Sequence, residues 1–185
     1  MRKFVFLSID VLEMGNLMQK RMKRKLFHLY TGELMATVIF AVLWVLFLVQ
    51  HDWSESYLTS FSSVYAFVLL EFILLQGSLY WFLKWKRAKE NHYAHLPYTQ
   101  LRIFLFFKRF NLFLIAIGIA AFFYQLKAFE SGVFWFSFLY VFAIIEHINY
   151  YHFRLSYQSP EEMREFIRQR GLRKSILAKE LNELK

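Results

Sequence analysis

Four long apolar runs dominate the sequence: Leu29 to Val49, Ser63 to Leu83, Phe110 to Leu126 and Gly132 to Tyr151. Each is close to the ~20 residues with which an α-helix crosses ~30 Å of hydrocarbon. A backbone placed in lipid must satisfy its own N–H and C=O groups, which leaves helices or a closed β-barrel. Only 2 prolines and 6 glycines punctuate the 185 residues, and no stretch alternates apolar and polar positions between turn clusters as barrel strands do. The expected fold class is therefore all-α, an integral membrane four-helix bundle. With 57% hydrophobic residues the chain is too apolar for disorder, and too little polar sequence separates the runs for all four to be interior helices of a soluble domain.

The third run is the shortest. It can lengthen toward its start through Leu101 and Ile103 to Phe107, ahead of the pair Lys108-Arg109, or those residues can form a separate helix lying in the headgroup region. Three segments follow from the spans: a basic N-terminal segment at 1–28, a four-span domain at 29–152 and a helical tail at 153–185.

Basic residues fix the expected threading, because loops rich in Lys and Arg stay in the cytoplasm during insertion. Of 23 Lys and Arg, only Lys127 falls in an outer loop; the others lie before the first span, between the second and third, or after the fourth. Both termini are thus expected inside, with short outer loops around His51 to Ser62 and Lys127 to Ser131. Aromatic belts agree: Trp53, Tyr124 and Trp135 fall at the outer interface, and Trp81, Trp85, Tyr150 and Tyr157 at the inner one. The net charge of +9 then marks the inner face of a plasma-membrane protein. Nucleic acid is not an expected partner, since no zinc-finger, helix-turn-helix or RNP signature accompanies the charge. The run Lys20, Arg21, Lys23, Arg24 and Lys25 abuts the first span; it marks topology, and it could also hold anionic lipid at ~1 kcal/mol per charge.

The N-terminus has a superficial likeness to a secretory signal, but Asp10 and Glu13 interrupt its short apolar stretch and no small-residue cleavage site follows, so cleavage is not expected. Met14, Met18 and Met22 offer later starts. In the tail, Ser159-Pro160-Glu161-Glu162 has the chemistry of a helix start and Gly171 that of a stop or bend. Beyond it Leu172, Ile176, Leu177, Leu181 and Leu184 form a rough stripe suited to docking on the membrane or a partner.

Carboxylates within hydrocarbon cost ~2.5–3.5 kcal/mol, so the acids of the spans are the most informative side chains. Glu33 lies near the inner end of span one, Glu71 near the middle of span two with Gln76 nearer the inner end, and Glu146 in the inner half of span four. The last opens the densest polar segment of any span, Glu146-His147-Ile148-Asn149-Tyr150-Tyr151-His152-Phe153-Arg154. At ~100° per residue, Glu146, Asn149, Tyr150 and Phe153 share one face, and His147, Tyr151 and Arg154 a neighbouring one. The candidate intramembrane site is accordingly Glu33, Glu71, Gln76, Glu146, His147, Asn149 and Tyr150. These groups either converge as a proton, cation or metal site or hydrogen-bond across helices as glue at ~0.6 kcal/mol each.

No metal or other cofactor is expected. With 0 cysteines there is no thiolate ligand or nucleophile, no Glu-x-x-His occurs in the spans, and Glu146 and His147 are adjacent, the wrong spacing for helical metal ligands. Nor is there a Gly-x-Ser-x-Gly elbow, a P-loop or a dinucleotide fingerprint. Three functions follow in order. The first is a non-enzymatic multi-pass membrane protein acting through assembly, whether with a membrane-protein partner or as a homo-oligomer (an accessory, regulatory or immunity-type subunit). The second is a small oligomeric transporter of ions or hydrophobic solutes using Glu71 and Glu146, and the third a lipid-modifying enzyme using the inner polar cluster.

Overall fold

The computed structural model describes residues 2–50, 57–92, 95–128, 132–155 and 173–184. It is all-helical there, with α1 (Arg2–Gln50), α2 (Phe61–Lys89), α3 (Tyr98–Ala128), α4 (Val133–Tyr151) and a short α5 (Ile176–Asn182). Four helices are long and apolar enough to cross a membrane, over Leu17–Gln50, Phe61–Lys89, Tyr98–Leu126 and Val133–Tyr151. The expected helix start at Ser159 to Glu162, the bend at Gly171, Leu172, Tyr157 and the outer-loop Trp53 lie outside the described residues.

Two helices extend beyond the apolar runs. Helix α1 continues unbroken for 49 residues through the basic stretch into the first span, because Lys, Arg, Leu and Met are good helix formers and no proline interrupts them. Likewise α3 begins at Tyr98, so the apolar residues ahead of Lys108-Arg109 belong to one continuous helix. Lys108 is tolerated inside it because its Nζ donates to the Tyr151 carbonyl at 3.2 Å, placing a cation at the negative end of α4.

Helix α2 is central. Its most apolar window is 50% buried, against 6% for α1, 17% for α3 and 33% for α4. The small residues Ser63, Ala66, Gly77 and Ser78 lie on its buried face, where they let neighbouring helices approach closely. Against α1, Trp44 stacks on Phe67 at 4.3 Å, and Tyr30 packs between Phe82 and Trp85 near the other end. Toward α3, Phe72 meets Phe107 and Phe110 edge-on and Tyr80 meets Phe104. Tyr65 donates to the Leu114 carbonyl at 2.5 Å.

Both ends of α2 are locally encoded. Ser60 caps its start, its Oγ accepting from the Ser63 N–H at 3.3 Å. At the other end Lys86, Arg87 and Lys89 complement the helix dipole. Asn91 takes a left-handed conformation (φ 61°), with Asn91 N–H donating to the Ala88 carbonyl and His92 N–H to the Arg87 carbonyl, the Schellman arrangement. Lys23 of α1 donates to the Asn91 side chain at 3.0 Å. The turns of α1 that precede Lys23 therefore project past the end of α2, by ~30 Å at the usual helical rise.

The tail folds back on its own chain. Residues 173–175 lie beside 152–154, with Arg154 N–H donating to the Arg173 carbonyl at 2.8 Å and Ser175 N–H to the His152 carbonyl at 3.1 Å. Ser175 caps α5 by accepting from Ala178 N–H, and its hydroxyl donates to the Tyr150 carbonyl. The stripe expected to dock on membrane or partner thus buries Leu177 and Leu181 in the protein's own core. Glu180 is also buried, in an ion pair with Lys84 of α2 at 2.7 Å.

Candidate functional site

The polar residues near the C-terminal end of α4 separate into two groups on opposite sides of that helix. On the side facing α1, the Tyr150 hydroxyl donates to Glu33, and Asn149 Nδ2 donates to Glu146 at 3.2 Å. Asn149 Oδ1 also accepts from the Leu155 N–H at 2.9 Å, holding the chain as it leaves the helix. The Tyr150 ring reaches across α2 only because residue 77 is glycine: a Cβ there would lie 2.3 Å from the ring's Cζ.

On the side facing α2 and α3, Gln76 and Asn111 form a reciprocal amide pair, with Gln76 Nε2 donating at 3.1 Å and Asn111 Nδ2 at 2.8 Å. The Tyr151 hydroxyl donates to Gln76 Oε1 at 2.7 Å. All three side chains are buried, and because each group is matched the network can sit in a bundle interior without stranding a polar atom. His147 packs beside it, 2% exposed, with ring contacts to Tyr151 at 5.1 Å and His152 at 5.7 Å. Neither of its nitrogens has a hydrogen-bond partner among the described residues.

Of the seven residues singled out from sequence, Glu33, Glu146, Asn149 and Tyr150 come together, Gln76 and His147 belong to the second group, and Glu71 joins neither. Glu71 is half-buried, with Oε1 shielded and without a hydrogen-bond partner among the described residues. The helix-to-helix bond expected of it is therefore not made there. Replacing it by Gln or Leu should each leave the unfolding free energy within about 0.5 kcal/mol of wild type or raise it, since no partner is stranded. Unfolding in detergent measures this, and a loss beyond ~1 kcal/mol for Leu alone would show a missing partner.

Asn111, Tyr151, Gly77, Lys84 and Glu180 also carry the arrangement and were not anticipated. The available signal was Gln76, the one carboxamide in the second apolar span, and Asn111 in the third, which also holds Gln125; pairing Gln76 with Asn111 satisfies both amides.

Glu33, Asn149 and Leu29 line two adjoining cavities. The one beside the tail, of about 90 Å³, adds Lys25, Arg154, Tyr80 and Trp81. The other, a crevice of about 260 Å³ between α1 and α4, adds Glu146, Gly32, Ala36, Phe40, Leu74 and Phe142. Among the described residues no three of His, Asp and Glu gather as metal ligands. Comparison with known proteins finds no matching family, no matching curated protein and no matching solved structure.

Proposed function

We propose that this chain is a multi-pass protein of the plasma membrane, both termini cytoplasmic, that acts by binding a partner and not by making or breaking bonds. The observation that carries the reading is the projecting part of α1. Leu17, Met18 and Met22 are 59%, 68% and 50% exposed on turns that extend past the end of α2, in the positively charged stretch that the basic asymmetry assigns to the cytoplasm. Large apolar side chains left uncovered outside the lipid mark an interaction surface. Methionine suits such a surface, because its unbranched thioether adapts to the face opposite. The basic run from Lys20 to Lys25 holds this helix near an anionic inner leaflet, which places its apolar side chains against membrane-associated partners. The polar groups of the inner half support a non-catalytic role, since most of their hydrogen bonds are made to one another across helices.

The native chain lacks cysteine, so single introduced thiols report cleanly. Met18→Cys and Met22→Cys are expected to give discrete cross-linked adducts in native membranes, with Gln19→Cys giving far less. They should resist membrane-impermeant maleimide in intact cells and react once the cells are opened. Absence of any adduct at both positions would remove the partner reading. Labelling of the Lys84 to Arg109 connection from outside, or a reporter after Lys185 active only outside, would reverse the topology.

A further inference from the structure

The crevice between α1 and α4 is a chemical oddity for a lipid-facing surface. Two carboxylates, Glu33 and Glu146, line it from facing helices, and no Lys, Arg or His does. The hydrogen bonds they accept come from neutral donors, the Tyr150 hydroxyl and the Asn149 amide, and neither acid forms an ion pair among the described residues. Carboxylates at this depth are costly unless something compensates their charge. Asn149 also lines it, and the rest of the lining is apolar: Phe40 and Phe142 lie at one end with ring centroids 5.4 Å apart, and Gly32 and Ala36 leave room where larger residues would fill the space.

The two ends differ in sign and polarity. Toward the tail the adjoining cavity brings Lys25 and Arg154 onto the same lining as Glu33. At the other end Phe142 is shared with an apolar hollow on α4 formed by Phe138, Val141 and Ile145, all of which are exposed. An entrance on this apolar side would open toward lipid, where a small inorganic cation does not partition. Aromatic faces and acids together favour an organic positive centre wrapped in apolar groups. We propose that this crevice is a binding site for a lipophilic organic cation that enters laterally from the bilayer. Its positive centre sits between Glu33 and Glu146, and its apolar groups lie against Phe40 and Phe142.

The test uses the full chain in phosphatidylcholine nanodiscs, with tetraphenylphosphonium as probe and tetraphenylborate as an anion of the same shape. Saturable binding of the cation is expected, at one site per chain, with none for the anion. Glu146→Gln keeps an acceptor for Asn149 while removing the charge, and should weaken binding at least tenfold; Glu33→Gln should do the same. Ala36→Leu fills the crevice without touching either acid and should abolish binding, with the melting midpoint showing that the variant is folded. If Glu33→Gln fails to fold through its lost tyrosine contact, Glu146→Gln alone decides the role of charge. The proposal is overturned if folded wild type shows no saturable uptake of the cation, if the anion binds equally well, if removing charge leaves affinity unchanged, or if Ala36→Leu binds like wild type.

Discussion

Gly77→Val is expected to destabilise the protein by about 2–4 kcal/mol, the range for overpacking a tight interior with loss of a hydrogen bond added. Helix propensity alone argues the other way, since glycine is worse than most residues in a helix interior by up to ~1 kcal/mol. Contact decides the sign. A Cβ at position 77 would fall 2.3, 2.5 and 2.6 Å from Cζ, Cε1 and the hydroxyl oxygen of Tyr150. That ring is anchored, because its hydroxyl donates to Glu33 and its backbone carbonyl accepts from Ser175. Moving it would separate α4 from α1 and loosen the tail at once. Gly77→Ala should show the same sign at smaller size, and pairing it with Tyr150→Ala should cost less than the sum of the two single changes. Gly32 supplies the control: nothing lies within 4 Å of its Cβ position, so Gly32→Ala should be neutral or stabilising. Unfolding in detergent followed by fluorescence measures all five variants, and equal effects at positions 77 and 32 would refute the packing account.

The spans are legible in sequence because their signal is one-dimensional. Enough consecutive apolar residues imply a crossing helix whatever its neighbours are, and all four apolar helices stand where the runs do. Partnership between helices is not one-dimensional. Nothing at Gln76 names Asn111, 35 positions away, and the pair is formed only because α2 lies beside α3. The split of the polar segment of α4 was half legible: its helical period separates Glu146, Asn149 and Tyr150 from His147 and Tyr151, but which face meets α1 depends on packing. Glu71 shows the opposite failure. Its depth along the span makes it the costliest of the three acids to bury, yet the crevice that holds the other two is lined by Glu33 and Glu146 without it. Depth measures the cost of burying a charge, whereas rotation about the helix axis determines what the charge meets. The tail was misread for a related reason: an apolar stripe shows that a surface will be covered, and its own chain covers Leu177 and Leu181.

Lys84→Leu is expected to release α5 from the body of the protein. Its ammonium is 3 Å or less from Glu180 Oε1, at 2.7 Å, with the two side chains 14% and 1% exposed. Removing the lysine strands a buried carboxylate, for which about 3–5 kcal/mol is the usual loss when one partner of a buried pair is deleted. His95 lies 3.5 Å from the same oxygen but is 59% exposed, too well hydrated to replace the lysine. The least costly response is for the tail to leave, carrying Glu180 into water and uncovering the surface against which Leu177 and Leu181 pack. A thiol introduced as Leu181→Cys should then react with maleimide at least tenfold faster in the Lys84→Leu background than in the native one. Glu180→Leu should release the tail less, because Lys84 can extend its flexible stem toward water. The informative case is the double replacement, Lys84→Leu with Glu180→Leu. Two apolar side chains of similar reach can pack where the ion pair was, and such exchanges are often neutral or stabilising. The double variant should therefore protect the thiol better than Lys84→Leu alone. If both single changes leave the thiol protected, the pair is incidental to docking and the apolar contacts hold α5; if the double variant is as reactive as Lys84→Leu, charge itself holds the tail in place.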